Sequence, residues 1–157
     1  MNTHQYNVNI HWDSDRKGIM CSPELTVPQR EKGCIEVATP PQFPKGIPGI
    51  WSPEHLLTAA VSSCFMTTFL AIAENSKLNF KSLDCQAVGI LDQVDGKYLM
   101  TEVVLKPEIT IADMKDHDRA LRILQRTEMG CLISNSIKSK VSMVPSIKVH
   151  ESLPENA

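Results

Sequence analysis

Apolar and polar positions alternate with a period of two near both ends of the chain and lose that rhythm in a long uncharged stretch at its centre. Tyr6, Val8, Ile10 and Trp12 fall on one face of an extended segment, with Asn7, Asn9 and His11 on the other, which predicts a strand. Residues 13–18 are a polar turn, after which Ile19–Cys21 returns as a second strand and Cys34–Ala38 forms another short one. Four prolines (Pro40, Pro41, Pro44, Pro48), with Gly46 and Gly49, exclude regular structure across 40–50. A loop of that length inside a compact domain is usually functional or a wrapping arm.

Ser52-Pro53-Glu54 opens a helix with an N-cap, a proline suited to the first helical position and an acid at the positive end of the dipole. The helix is expected to run to about Asn75, and no charged residue interrupts it from Leu56 to Ala73. With apolar or small residues on every face, it reads as the core of the protein, enclosed by strands or by another chain. Phe80–Leu91 and Tyr98–Leu105 are strand-like around a Val94-Asp95-Gly96 turn, with 108–111 extending the second strand past Pro107. Asp113 is expected to cap a second helix burying Ala120, Leu121, Ile123 and Leu124, with Arg119, Arg122 and Arg126 solvated. Gly130 ends that helix, a short helical continuation follows over 134–140, and one last strand over 146–150 precedes a polar tail. The order of elements reads as α+β, in one domain spanning 1–157.

Composition narrows the function classes. The 157 residues are 42% hydrophobic and 22% charged, and 16 Lys+Arg against 18 Asp+Glu leave a net charge of −2. That balance argues against a nucleic-acid or anionic-membrane surface as the main function. The apolar runs fall short of the roughly 18 residues of a bilayer span, and the N-terminus lacks a signal-peptide layout. A soluble cytoplasmic protein is therefore expected. Five cysteines, an odd number, do not suggest a disulfide framework, and a stable bridge is disfavoured in a reducing compartment. With no C-x-x-C spacing and no histidine at zinc-site spacing, a metal site is not expected. Cys21, Cys34 and Cys85, in strand-like segments, read as packing residues.

The other two cysteines have more suggestive settings. Cys64 lies mid-helix among small residues and near Ser62, Ser63, Thr67 and Thr68; it is either a small buried hydrophobe or a reactive thiol. Cys131 follows Gly130 at the start of a helical turn, where it is either a capping thiol or one whose thiolate the turn stabilises. Arg16 and Glu54, by residue type alone, read as solvated charges in loops.

The segment Trp51-Ser52-Pro53-Glu54-His55-Leu56-Leu57-Thr58-Ala59-Ala60-Val61-Ser62-Ser63-Cys64-Phe65 resembles the P-E-x-L-x-x-A-x-x-x-C segment of the OsmC/Ohr family, the osmotically inducible and organic hydroperoxide resistance proteins. Gly130-Cys131-Leu132-Ile133-Ser134-Asn135-Ser136-Ile137 resembles its second cysteine segment, usually C-P-x-S-x-x-I, and Asp15-Arg16-Lys17-Gly18 is similar to the turn carrying its arginine. The order of elements agrees from about residue 5 to 150. Three departures stand out: Leu132 where the family has proline, Lys17 where many relatives are acidic, and Ile47-Pro48-Gly49-Ile50-Trp51 in place of a glycine-rich stretch. The last would reshape an apolar entrance.

The resemblance implies an OsmC-like fold, with antiparallel sheets wrapped around a long buried central helix in an intertwined homodimer. It also implies a thiol peroxidase that reduces organic hydroperoxides, fatty-acid-like or alkyl, to alcohols in oxidative-stress defence. On it, Cys64 is the peroxidatic cysteine, Cys131 the resolving one, Arg16 the activating cation and Glu54 the carboxylate that orients it. No cofactor or metal is implied; a dithiol such as dihydrolipoamide, on a lipoylated protein, would be the reductant. The chemistry suits these residue types. A guanidinium offsets the penalty of burying a thiolate and stabilises the departing alkoxide, and its planar fork can also hold a carboxylate. Ten helical residues, about 15 Å of rise, separate Glu54 from Cys64, so a partner's Glu54 serves the site more readily than the chain's own. Two other readings remain at this point: an OsmC-like protein binding a small apolar ligand or sensing oxidants without turnover, and a non-catalytic interaction dimer whose cysteines only pack.

Overall fold

In the computed structural model, which describes residues 3–25 and 33–150, the alternating N-terminal segment folds as an antiparallel meander. Strand β1 (Asn9–Ser14) turns at Asp15-Arg16 into β2 (Lys17–Ser22), which pairs with β3 (Gly33–Ala38) in the order β1-β2-β3. The turn is tight enough to hold Asp15 at φ 43°, a conformation that aspartate tolerates better than most residues. From β3 the chain enters the proline-rich segment, which forms a series of turns rather than a free loop. The Gly46 amide donates to the Phe43 carbonyl at 2.9 Å, and a side chain at Gly46 would strike the Pro40 carbonyl. The segment returns beside β3, where the Ala38 amide donates to the Trp51 carbonyl at 2.8 Å.

Helix α1 (Pro53–Asn75) starts as its capping residues predict: the His55 amide donates to Ser52 Oγ at 3.3 Å and the Leu56 amide to the Ser52 carbonyl at 3.0 Å. The chain divides into two compact units, Met1–Leu56 and Leu57–Ala157, where the sequence reads as one domain. In the second unit, β4 (Phe80–Val94) and β5 (Lys97–Ile111) form a long hairpin closed by Asp95 and Gly96, both at positive φ, the geometry of a type I′ turn. Pro107 is tolerated within β5 because it sits in a gap on that strand's far side. There β6 (Lys140–Met143) pairs with residues 102–105, β7 (Ser146–Val149) pairs with 108–111, and neither reaches 107.

Between β5 and β6 lie a 3-10 turn at Met114–Asp116 and helix α2 (His117–Gly130). Asp113 caps the 3-10 turn, accepting from the Lys115 amide at 3.0 Å, rather than capping α2 directly. Two expectations change here. The described residues end on two strands, not one, since Lys140–Met143 is β6 and only Ser134–Ser136 of the expected continuation is helical. Both last strands run parallel to β5, so this sheet is mixed rather than antiparallel. The α2 crossover is what permits it, because parallel neighbours need a long connection.

The core of the second unit is the α1 stripe Val61, Phe65, Phe69 and Ala73, spaced by four, against Leu105, Ile109 and Ile111 of β5 and Ala120, Ile123 and Leu124 of α2. Phe69 meets Phe80 edge to face at 5.2 Å. Near its start α1 passes so close to β4 that a Cβ on Gly89 would strike Thr58 Oγ1. Within one chain, however, α1 is not buried all round: Met66 and Leu70 remain 44% and 42% exposed. Its length and composition would also suffice to cross a membrane, contrary to the sequence reading, though here one face packs into a core. Leu121 is only half-buried, and Arg119 is only partly solvated, since its guanidinium donates to the Ser76 carbonyl just past the end of α1 and lies 3.6 Å from Asp116. The tail expected after His150 lies outside the described residues.

The largest correction concerns Cys21 and Cys34, which are not packing thiols but a disulfide. The β2–β3 register sets them directly opposite each other with Cα atoms 4.1 Å apart, the closely spaced class of antiparallel pair. Cys85 does pack, half-buried against the core, and burial pushes its thiol up against the opposing effect of the Lys106 amide.

Candidate active site

Cys64 and Cys131 come together in the second unit. Cys64 sits one residue before the buried Phe65, so its side chain lies at the edge of the core stripe, half-buried, with Thr68 one turn on and Oγ1 4.0 Å from the sulfur. Cys131 ends α2 in an extended conformation (φ −69°, ψ 111°) and is fully buried. The end of α2 rests on α1: the Cβ direction of Gly130 points at the Thr68 methyl at 3.9 Å.

Beyond Cys131 the chain coils into a tight turn that consumes its own carbonyls. The Asn135 amide donates to the Cys131 carbonyl at 3.1 Å, the Ser136 amide to that of Ile133 at 2.9 Å, and Ser136 Oγ to that of Leu132 at 2.8 Å. The amides of Leu132 and Ile133, at the start of this turn, serve the Cys64 sulfur. Burial pushes the Cys64 thiol up, yet the Ile133 amide, the Cys131 thiol, the Thr68 hydroxyl and the Leu132 amide all favour its thiolate. The balance leaves Cys64 below the ordinary thiol value. Burial raises the Cys131 thiol as well. The hydroxyl and amide of Ser134 lower it, the charge of Cys64 raises it further, and it stays above the ordinary value. The two sulfurs are thus unlike: one thiol that ionises more readily than usual, and beside it one that ionises less readily.

Arg16 and Glu54 belong to the first unit and line one cavity there, with Val37, Ala38, Thr39, Pro40, Phe43 and Pro53. Arg16 occupies the β1–β2 turn, its carbonyl accepting from the Thr39 amide at 3.1 Å, while Glu54 is half-buried in the first turn of α1. Lys17 does not crowd the arginine. It forks between Glu36 at 3.0 Å and Asp13 at 3.3 Å, and the hydrogen bond to Glu36, followed by that to Asp13, raises its pKa. Among the described residues no three His, Cys, Asp or Glu side chains gather as metal ligands.

A family model described as OsmC-like protein matches residues 46–145. The chain belongs to the OsmC-like family. Among curated relatives, the peroxiredoxin OsmC of Escherichia coli is 27% identical over 97 residues, covering 62% of this chain and 67% of that protein. The uncharacterized protein YmaD of Bacillus subtilis is 23% identical over 152 residues, 91% of this chain and 93% of its own. The same OsmC-like fold is seen in a protein of unknown function from Vibrio cholerae, with a TM-score of 0.78 at 22% identity over 91% of this chain and 99% of the other. An organic hydroperoxide resistance protein from Elizabethkingia anophelis aligns with a TM-score of 0.72 at 17% identity over 95% and 99%.

Sequence reasoning named both thiols, and Thr68 beside Cys64, but missed the backbone donors that lower the Cys64 pKa. The signal was present as Gly130 followed by a polar turn, and as a leucine, which keeps its N–H, where the family has proline. It also missed the disulfide, whose only cue was a cysteine on each of two strands that proved to be partners.

Proposed function

We propose that this OsmC-like protein is a cysteine peroxidase that reduces organic hydroperoxides to alcohols. The observation that carries the reading is the convergence of two amides, a hydroxyl and a thiol on the Cys64 sulfur, with the thiol belonging to a second cysteine. The thiolate attacks the terminal oxygen of ROOH; the O–O bond breaks, RO⁻ leaves and takes a proton as ROH, and Cys64 becomes a sulfenic acid. That step removes the negative charge that had been raising Cys131, which then ionises more readily. Its thiolate attacks the Cys64 sulfur, hydroxide leaves as water, and a Cys64–Cys131 disulfide forms. A dithiol reduces that bond by exchange and becomes a cyclic disulfide; a dihydrolipoamide group, free or on a lipoylated protein, fits this role. All the electrons pass through sulfur.

We further propose that Arg16, oriented by Glu54, serves a Cys64 across a homodimer, stabilising both the thiolate and the leaving alkoxide. Exposed apolar residues support a second copy: Met66 and Leu70 on α1, and Val88, Ile90, Leu91 and Leu99 on the β4–β5 hairpin. The test is to reduce the protein, add an alkyl hydroperoxide with dihydrolipoamide in excess, and count alcohol formed per chain. Many turnovers, with a Cys64–Cys131 disulfide found by peptide mapping when the dithiol is withheld, are expected. One equivalent consumed and no turnover would instead make the protein an oxidant sensor.

A further inference from the structure

The Cys21–Cys34 disulfide has no part in that cycle, yet its two sulfurs are not equivalent. Both residues are half-buried, but only Cys34 reaches the wall of a cavity in the first unit. The other walls are Ile19 and Ile35 from the same two strands, and Ile50 and Trp51 from the segment that returns beside β3. Glu36 is at this cavity too, with its carboxylate engaged by Lys17. The crosslink joins residues that the β2–β3 ladder already holds opposite each other, with five further pairs in register from Lys17↔Ala38 to Ser22↔Gly33. Opening it therefore need not dismantle the sheet, and Trp51, 51% exposed, leaves an apolar surface facing solvent beside the sulfur.

We propose that this is a second thiol–disulfide exchange site, at which Cys34 is the sulfur attacked and the ligand is a small uncharged dithiol with an apolar chain. A thiolate of the ligand attacks Cys34 Sγ; the Cys34–Cys21 bond breaks, and Cys21 leaves with the electron pair and is protonated from water. The mixed disulfide then has its apolar chain against Ile50 and Trp51. The ligand's second thiol attacks its own sulfur in that bond, releasing Cys34 as a thiol and the ligand as a cyclic disulfide. Two electrons and two protons pass to the cysteines, and the same ligand in its cyclic disulfide form drives the reverse. Walls of isoleucine and tryptophan, with the nearby carboxylate already paired, favour a neutral ligand over an anionic thiol.

The site is separable from the peroxidase cycle by where the mass appears. In Cys21→Ser protein treated with lipoamide, peptide mapping should find the adduct on Cys34, whereas Cys34→Ser protein should leave Cys21 largely unmodified. Equal capture by the two sulfurs would overturn the assignment of Cys34. Because either variant could fold poorly, the second measurement uses the intact pair. Reduction of the Cys21–Cys34 bond by dihydrolipoamide should slow about tenfold in Ile50→Ala and Trp51→Ala, the discrimination expected from lost apolar contact. Reduction by dithiothreitol, which lacks the apolar chain, should not change. Unchanged rates with dihydrolipoamide in both variants would remove the cavity from the reaction, whatever the fate of the peroxidase reading.

Discussion

The two cysteine pairs are held together by opposite means. Cys21 and Cys34 face each other because a backbone ladder puts them there; every residue from 17 to 22 has a strand partner, and the sulfurs are already joined. Cys64 and Cys131 come from a helix and from the turn after another helix, with no ladder between them, and their sulfurs are free. What fills the place of a ladder is a set of donors pointed at one sulfur. A register can bring any two side chains together, but it does not make them chemically different. The donors do, by lowering the Cys64 pKa while burial raises that of Cys131. The first arrangement suits a bond that is made and exchanged; the second suits a nucleophile that waits.

The sharpest break is Cys64→Ser, which should reduce hydroperoxide consumption to the uncatalysed rate, since a hydroxyl at this position supplies no comparable anion. Consumption near the wild-type rate, followed as alcohol formed, would move the chemistry to another sulfur, Cys34 or Cys21 among them. Next is Arg16→Ala, where loss of an aimed cation should slow the first oxidation of Cys64 by about 10²–10³-fold. Mixing Glu54→Ala chains with Cys64→Ser chains sharpens this further. If Glu54 serves the partner's sulfur, one site in each mixed dimer is intact and activity returns; with confirmed exchange of chains and no recovery, the shared site is wrong.

Thr68→Val addresses the donors themselves. Valine keeps the methyl that faces Gly130, so the end of α2 should stay where it is, and only the hydroxyl 4.0 Å from the Cys64 sulfur is lost. The oxidation rate at neutral pH should fall about fivefold, the equivalent of one ordinary hydrogen bond. A stopped-flow rate equal to wild type would mean that the amides and the Cys131 thiol suffice without the hydroxyl.

How much of this could be read from the residues differs between the pairs. The α1 boundaries were legible because Ser52, Pro53 and Glu54 act locally, and the hairpin because Asp95-Gly96 suits only a few turns. The candidate thiols stood out by their local settings, but their roles were legible only through a family resemblance carried by Glu54 to Cys64 and by the residues after Gly130. The Cys21–Cys34 bond was not legible, since pairing across strands depends on register, which no single segment encodes. β6 was missed, and the parallel pairing of β6 and β7 with it, for a related reason: a four-residue strand beside a partner has too little alternation to declare itself. The exposed faces of α1 looked like core because composition reports what a helix avoids, not what covers it.

The smallest expected effect is also the one that bears most directly on how this chain departs from its family. Leu132→Pro restores the residue that usually follows the second cysteine and removes one of the amides facing Cys64. The change should be tolerated by the fold. Cys131 already has the extended conformation that a residue before proline requires, and the Leu132 side chain is 70% exposed, so little packing is lost. With one donor fewer, the Cys64 pKa should rise, and at neutral pH less of it is thiolate, slowing oxidation about threefold. The sign fixes the pH dependence. Below both pKa values the variant is slower by a constant factor; as pH climbs through the wild-type value and then the variant's, the two rates converge, because both sulfurs are then fully ionised. A rate–pH profile of the first oxidation step, measured with Cys131 also present as serine to stop the cycle there, reads this directly. Convergence at high pH assigns the Leu132 amide to holding the thiolate. A deficit that persists at every pH would instead mean that proline has shifted the turn, and superimposable profiles would leave Ile133 as the only backbone donor that matters.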